Sequence, residues 1–154
     1  MTLQGKFYQG KFRPKNPSKY KGDYTNIVYR SSWECRFMSY IDRHPHVTKW
    51  SSEEIIVPYR SCVDGKMHRY FPDFYVEMTN ALGKREKLLI EIKPYKETIP
   101  PKVQETKRKK PTQKYLREVK TYGTNSSKWK AAEEFCKDRG WKFVIMTEKD
   151  LGLK

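Results

Sequence analysis

The sequence predicts an α/β fold whose core is a mixed sheet of about four strands flanked by helices. Three observations predict it: a helical pattern after Ser31, three apolar segments joined by turn signals within 53–93, and an apolar segment at 141–147 that follows helical sequence. Consecutive strands joined by short turns pair antiparallel, whereas a strand that returns after helices is free to pair in either direction. Mixed pairing is therefore expected.

The first helix is predicted to begin after Ser31, a favoured N-cap residue, with Glu34 three positions later as in a capping box. Apolar side chains follow at helical spacing: Trp33, Phe37, Tyr40 and Ile41. The helix is expected to end near His44. Glu34 shares a helix face with Met38 and Ile41, so its carboxylate should border the apolar stripe and not the solvent face.

Three strands are predicted next, at residues 53–59, 67–78 and 87–93, with turns at 63–66 and 80–83. Asp64-Gly65 in the first turn is a strong hairpin signal. Pro72 has no N–H to donate to a ladder, so it should mark an edge or a bulge beside Asp73. The resulting antiparallel meander places Asp73 and Glu91 on neighbouring strands.

The C-terminal third is predicted to contain two helices and a fourth strand. One helix starts at Pro111, and a second is capped near Asn125 or Ser126 and ends at Arg139-Gly140. Four residues give the second helix its buried stripe: Trp129, Ala132, Phe135 and Cys136. The strand spans 141–147, and a short turn completes the chain at 148–154.

The charge balance predicts a polyanionic partner. The chain of 154 residues has 33 Lys plus Arg against 18 Asp plus Glu, a net charge of +15. Phosphate contacts and counterion release favour nucleic acid binding for such a chain, although acidic proteins or solubility alone would also suit it. Residues 1–30 hold seven Lys or Arg against one acid, with prolines and glycines between them. We expect a basic N-terminal arm at 1–30, outside the core, and one folded domain at 31–154.

The cysteines and the hydropathy favour an intracellular protein without a membrane segment. Cys35, Cys62 and Cys136 are odd in number and far apart, so they are interpreted as reduced, packed thiols. No run of eighteen apolar residues occurs in the sequence. Three histidines, His44, His46 and His68, lack the spacing of a metal ligand set.

The candidate catalytic residues are three charges inside apolar strands. Asp73 follows Arg69-Tyr70-Phe71-Pro72, and Glu91 and Lys93 belong to Leu88–Pro94. Buried charges persist where they pair or bind a metal. Glu91 and Lys93 share one strand face, while Ile90 and Ile92 point the other way.

This pattern predicts a site for phosphodiester hydrolysis. Mg²⁺ prefers hard oxygen ligands, which Asp73, Glu91 and the Ile92 carbonyl can supply, and Mn²⁺ is expected to substitute. Lys93 is expected to orient the attacking water or to help deprotonate it, and to offset phosphate charge. Glu34 would complete the site as a further ligand or as a neighbour of one.

Simpler explanations exist for the same residues. Glu91 and Lys93 could form an ordinary ion pair, and Asp73 could be a turn residue after Pro72. The capping box alone could explain Glu34. Candidate DNA contacts are the cations that flank the proposed site or follow it in the chain: Arg30, Lys96, Lys107, Arg108, Lys109, Lys110 and Lys114. Solvated faces would explain them equally.

Pro72-Asp73 and Glu91-Ile92-Lys93, with Glu34 on the first helix, resemble the motif of the PD-(D/E)xK nucleases, a superfamily with the restriction endonuclease-like fold. A second resemblance covers nearly the whole chain, in segments 17–23, 29–34, 69–73, 90–94 and 128–132. These are similar to the head completion nucleases of T-even-type tailed phages, which are related to the endonuclease subunit of heteromeric transposases. Those subunits commonly have Gln-x-Lys where this chain has Glu91-Ile92-Lys93.

The resemblance implies a metal-dependent endonuclease that cuts double-stranded DNA during virion assembly, around the time when heads join tails. It also implies phage head, portal or neck proteins as partners, and a location in the host cytoplasm during assembly or in the virion. Two alternatives remain open: a non-catalytic head-completion protein that binds DNA ends or the portal, and a junction-resolving or repair nuclease of the same fold.

Overall fold

The computed structural model describes residues 9–102 and 110–152 of the chain. The helices are α1 (Ser32–Arg43) and α2 (Gln113–Arg139), with short 3-10 helices at Pro17–Lys19 and Tyr95–Glu97. The strands are β1 (Gly10–Phe12), β2 (Ile27–Tyr29), β3 (Val47–Ser52), β4 (Val57–Arg60), β5 (Met67–Tyr70), β6 (Phe74–Thr79), β7 (Arg85–Ile92) and β8 (Lys142–Met146).

The main sheet has four strands in the order β3-β6-β7-β8. Strands β3, β6 and β7 pair antiparallel, and β8 pairs parallel with β7. The predicted α/β class and the mixed pairing are confirmed. The predicted helix after Ser31 is also confirmed, because α1 has Ser31 as its N-cap and His44 as its C-cap.

The sheet separates two apolar clusters. Phe74, Val76 and Ile90 face the cluster that α1 completes, whereas Tyr75 and Leu89 face the cluster that α2 completes. Neighbouring residues on one strand thus serve opposite sides, as the period of two requires. Ile92 belongs to the α1 side with Ile90, which leaves Glu91 on the opposite side as predicted.

The prediction for the first two strands is wrong in part. The edge strand is β3, which precedes the predicted segment 53–59, and 67–78 is two strands, β5 and β6. Strands β4 and β5 form a separate hairpin that interrupts the sheet between β3 and β6. The chain leaves at Glu53, which has a φ of 55°, and returns at Asp73. The Glu53 N–H donates to the Asp73 carbonyl at 3.1 Å and closes the base of the insertion.

The two predicted C-terminal helices are one continuous helix. Helix α2 has 27 residues between its N-cap Thr112 and its C-cap Gly140, which has a φ of 72°. The predicted second start near Asn125 or Ser126 is wrong, because both residues lie inside α2. The Ser127 hydroxyl donates to the Gly123 carbonyl within the helix and accepts from the Cys62 N–H. Gly123 itself meets the insertion closely, since a Cβ there would lie 3.3 Å from the Cys62 sulfur.

Part of the segment 9–30 packs on the domain, so the predicted position outside the core is wrong for Tyr20 and Ile27. Tyr20 and Ile27 are buried in the α1-side cluster. Tyr20 bridges to Trp50, and their ring centroids are 4.8 Å apart. Burial raises the pKa of Tyr20 to about 12. Residues 1–8 of the predicted arm lie outside the described part of the chain.

The three cysteines are free thiols. Cys136 is buried and Cys35 is half-buried, but Cys62 is exposed, so the prediction of packed thiols is wrong for Cys62. Within residues 9–102 and 110–152, no helix is long and apolar enough to cross a membrane.

Candidate active site

Glu91 is the central buried charge of the site. It lies on β7 and is only 6% exposed. One carboxylate oxygen accepts a hydrogen bond from the Tyr70 hydroxyl on β5, and the other lies 3.8 Å from the Lys93 ammonium. Glu91 and Lys93 lie on one face of the chain because they are two residues apart.

Asp73 sits opposite Glu91, directly before β6. Phe74 pairs with Ile90 in the antiparallel register, so the preceding residue faces the following one. One Asp73 oxygen accepts a hydrogen bond from the Ile92 N–H at 2.8 Å. The N–H and C=O of a strand residue point to the same side, so the Ile92 carbonyl also faces Asp73. Three oxygen donors therefore converge at the ends of β6 and β7.

Glu34 reaches the same place from the first turn of α1. Its backbone N–H donates to the Ser31 hydroxyl at 3.2 Å, which is half of a capping box. Its carboxylate accepts from the Arg30 N–H at 3.2 Å, one residue before the cap. The carboxylate thus takes part in capping and borders the site as well.

One pocket of about 190 Å³ brings the four predicted catalytic residues together. Its charged lining has four carboxylates and two cations: Glu34, Asp73, Glu91, Glu97, Arg30 and Lys93. Arg30 is already paired with Glu53 through two hydrogen bonds of 3.1 Å. The pocket is therefore negative, although the whole chain carries +15.

The carboxylates of the pocket have raised pKa values. Burial raises the pKa of Asp73 well above the ordinary range, and the charges of Glu91 and Glu34 add to it. Burial also raises the pKa of Glu91, against its hydrogen bond and two nearby lysines. For Glu34, burial raises the pKa against the backbone hydrogen bond that it accepts. Like charges in a poorly hydrated place favour either protons or a cation.

The donor set fits a hard divalent cation that keeps several of its own waters. Two carboxylates and a carbonyl are the kind of protein share that Mg²⁺ takes. Among the described residues, no three His, Cys, Asp or Glu side chains come together as a ligand group. Glu34 therefore stands beside the pair formed by Asp73 and Glu91, without forming a three-carboxylate cluster with them.

Two further residues of the site were not predicted, Tyr70 and Lys128. Tyr70 is 4% exposed and binds Glu91, and the Lys128 ammonium lies 5.6 Å from the centre of the Tyr70 ring. Burial lowers the pKa of Lys128, and the charge of Lys93 lowers it further. Tyr70 is close to Asp73 in the sequence, but the pattern there indicates only a strand. No spacing signal connects Lys128 to residues so far away in the chain.

The predicted DNA contacts have different positions. Arg30 lines the site pocket in its pair with Glu53, and Lys96 follows the site on the 3-10 helix Tyr95–Glu97. Lys110 is exposed before α2, and Lys114 is exposed in the first turn of α2. Lys107, Arg108 and Lys109 lie outside the described residues. The DNA contacts stay predictions.

The fold and the pocket together define a nuclease of the restriction endonuclease-like class. The chain belongs to the TnsA-like endonuclease family, because residues 44–148 match the family described as "TnsA-like endonuclease N terminal". The matched segment contains Asp73, Glu91 and Lys93, whereas Glu34 precedes it.

A more particular relative covers almost the whole chain. Over 144 residues the chain is 40% identical to the head completion nuclease of Enterobacteria phage T4, a match that spans 94% of this chain and 93% of that protein. The predicted family resemblance is confirmed. No solved structure matches the chain significantly.

Proposed function

We propose that this protein is a Mg²⁺-dependent DNA endonuclease that acts in the head completion of a tailed phage. The observation that supports it most is the negative pocket of Asp73 and Glu91, with Lys93 at its edge, in a chain of charge +15. A basic surface attracts the DNA backbone. A cation bound in the negative pocket would neutralise the carboxylates, so that the negatively charged scissile phosphate is no longer repelled there.

Asp73, Glu91 and the Ile92 carbonyl would hold Mg²⁺, and Mn²⁺ would substitute for it. When bound, the ion would polarise the scissile phosphate and lower the pKa of a bound water. Lys93 is only 29% exposed and would orient the attacking water or offset the developing charge on the phosphate. Glu34, across the pocket, would act on the same water or on the waters of the ion.

Tyr70 and Lys128 would position Glu91. The Tyr70 hydroxyl donates to the Glu91 oxygen opposite the one that Lys93 approaches. That hydrogen bond restrains the carboxylate, and oriented ligands bind metals better than free ones. The Lys128 ammonium contributes further positive charge near the Glu91 carboxylate.

The biological setting is proposed from the relative. The T4 protein carries the name head completion nuclease, so we infer double-stranded DNA as the substrate and head, portal or neck proteins as partners. Action during assembly would place the protein in the host cytoplasm, and retention after assembly would place it in the virion.

The test is plasmid cleavage by purified protein with Mg²⁺, Mn²⁺ or EDTA. The variants are Asp73→Ala, Glu91→Ala and Lys93→Ala, and the control is Asp64→Ala, an exposed carboxylate in the β4–β5 turn that pairs with His68. We expect cleavage by the wild type and the control with either metal, and none in EDTA.

Cleavage that survives in Asp73→Ala or Glu91→Ala would remove the proposed site. DNA binding by the wild type without any metal-dependent cleavage would instead support the non-catalytic head-completion function.

A further inference from the structure

A second, larger cavity lies beside the site and has no role in the chemistry above. It is a groove of about 600 Å³ between the N-terminal half of α2 and the segment 96–102. Glu97 lines both this groove and the active-site pocket, so the groove adjoins the site.

One face of α2 forms a wall of the groove. Lys114, Arg117, Thr121 and Asn125 line it and follow one another at helical spacing. Further along α2, the same face is continued by Ala132, which is buried against the sheet. The face that is apolar over the sheet thus becomes polar and basic where the helix extends past the sheet and flanks the groove.

Cations outnumber carboxylates in the groove, and Ile99, Pro100 and Pro101 add an apolar lining. Its cations are Lys96, Lys102, Lys114 and Arg117, and its carboxylates are Glu97 and Glu118. The Lys114 ammonium and the Glu118 carboxylate are 3.9 Å apart, and the Lys114 side chain is 83% exposed. An ion pair with that exposure is weak, so a DNA phosphate can replace Glu118 as the partner of the Lys114 ammonium. The groove suits a chain of anions.

The size and the aromatic lining favour one nucleic acid strand over a duplex. A volume of about 300 to 1,000 Å³ encloses a ligand of drug size, which corresponds to a short stretch of nucleotides. Tyr122 lines the groove and offers a ring for base stacking. A positive groove with a stacking aromatic is the usual arrangement of single-strand binding proteins.

We propose that this groove binds the backbone of a single DNA strand that continues from the scissile phosphate. Arg117 and Lys114 contact its phosphates, and Tyr122 stacks with a base. The proposal rests on the proposed nuclease function and adds a substrate class to it: DNA with a single-stranded segment beside the cleavage position. Binding in the groove then brings the junction of single and double strand to Asp73 and Glu91.

The test measures binding and cleavage separately. Fluorescence anisotropy in EDTA compares a labelled blunt duplex with the same duplex carrying a single-stranded tail. The variants are Arg117→Glu and Lys114→Glu. Lys130→Glu is the matched control, because Lys130 is an exposed lysine of α2 that does not line the groove and its reversal changes the net charge equally.

We expect the wild type and Lys130→Glu to bind the tailed duplex more tightly than the blunt one. Each groove variant should bind the tailed duplex about tenfold more weakly, with a salt dependence smaller by about 0.7 for each phosphate that the variant no longer neutralises. An acidic residue near the N-terminus of a helix is tolerated, so these variants should fold, as circular dichroism would verify.

Equal binding of tailed and blunt DNA by the wild type would overturn the proposal, and so would groove variants that bind like Lys130→Glu. Cleavage of the same tailed duplex with Mg²⁺ is scored independently. Cleavage without groove-dependent binding removes only the groove. Groove-dependent binding without cleavage supports the groove and removes the nuclease function.

Discussion

Asp73 and Glu91 place two negative charges where water is scarce. The fold does not neutralise them fully, because the Lys93 ammonium stays 3.8 Å from Glu91 and, among residues 9–102 and 110–152, Asp73 accepts only the backbone hydrogen bond from Ile92. Such a pair stores unfavourable energy that a bound cation relieves. Metal binding and stability should therefore be coupled in this protein.

Asp73→Asn is expected to stabilise the metal-free protein and to lower cleavage by roughly a thousandfold or more. The pKa of Asp73 is higher in the folded state than in the unfolded chain. Its contribution to stability is therefore present below the unfolded pKa and is lost as the pH rises through the folded pKa. In thermal unfolding in EDTA across this pH range, the melting temperature of Asp73→Asn should increase relative to that of the wild type as the pH rises.

The side-chain amide introduced by Asp73→Asn can still accept a hydrogen bond from the Ile92 N–H. The substitution therefore changes the charge at this position more than the shape of the side chain. Mg²⁺ should raise the melting temperature of the wild type and leave that of Asp73→Asn nearly unchanged. Identical pH dependence of the two melting temperatures would contradict the role given to the charge.

Tyr70→Phe tests whether the Glu91 carboxylate needs its hydrogen bond. The hydroxyl lowers the pKa of Glu91, so its removal should raise that pKa and move the acid side of the pH–rate profile to higher pH. Activity at neutral pH should fall about tenfold, as for other residues that orient a metal ligand. The measurement is the cleavage rate against pH.

Tyr75→Phe is the matched control, since its hydroxyl binds Glu77 at 2.8 Å. Unchanged pH profiles for both variants would exclude Tyr70 as a positioning residue.

The first turn of α1 combines a structural and a chemical task. Ser31 caps the helix by accepting from the Glu34 N–H, while the Glu34 carboxylate accepts from Arg30 and borders the pocket. Loss of activity after a change at Glu34 is therefore ambiguous without a measurement of stability.

Ser31→Ala and Glu34→Gln should separate the two tasks. Ser31→Ala removes the cap and should lower the free energy of unfolding by about 1 kcal/mol, with cleavage largely retained. Glu34→Gln keeps a capping acceptor and should unfold nearly as the wild type does, but cleave much less, because the negative charge is removed. Urea unfolding and plasmid cleavage are measured on both variants. The reverse pattern would make Glu34 a capping residue alone.

Helix α2 changes its role along its length. Its C-terminal half packs Trp129, Ala132 and Cys136 against the sheet and against Val57 of the inserted hairpin. Its N-terminal half carries exposed residues such as Leu116 and Val119. At 1.5 Å per residue the helix is about 40 Å long, which lets one element serve both the core and the groove.

The buried carboxylate of Asp42, which is 1% exposed, is one of the groups that hold the N-terminal segment, residues 9–29, to the domain. It accepts from the backbone N–H groups of Lys15 and Asn16 at 2.8 and 3.2 Å and from the Trp50 indole at 3.4 Å. The segment, α1 and β3 therefore share one acceptor. Arg30, which lines the active-site pocket, follows this segment directly.

Asp42→Ala should destabilise the protein by about 2 to 4 kcal/mol, because three donors are deprived of a buried acceptor together. Trypsin should then cut at the lysines of the N-terminal segment under conditions that leave the wild type intact. Asp23→Ala is the control, since within the described part of the chain the Asp23 carboxylate accepts hydrogen bonds only from Thr25, in its own turn. Equal protease resistance of Asp42→Ala and the wild type would show that the remaining polar and apolar contacts hold the segment without the Asp42 carboxylate.

The features that could be predicted from sequence depend on residues near each other in the chain. The capped start of α1 follows from Ser31 and Glu34, and the turn before β7 follows from Asn80 and Gly83. Alternation along β7 placed Glu91 and Lys93 on one face. Because a short turn joins β6 to β7, the meeting of Asp73 and Glu91 was predictable as well.

Contacts between distant parts of the chain decided the rest. Strand β3 is defined by its pairing with β6, and the β4–β5 hairpin leaves the sheet between Glu53 and Asp73, whose backbone hydrogen bond closes its base. Packing overrides local capping signals near Asn125, so α2 continues through them. Tyr70 and Lys128 join the site only because the hairpin and α2 fold against β7. The contacts of Tyr70 and Lys128 are stabilised by burial and by pairing with groups that are distant in the sequence, so no local pattern of residues encodes them.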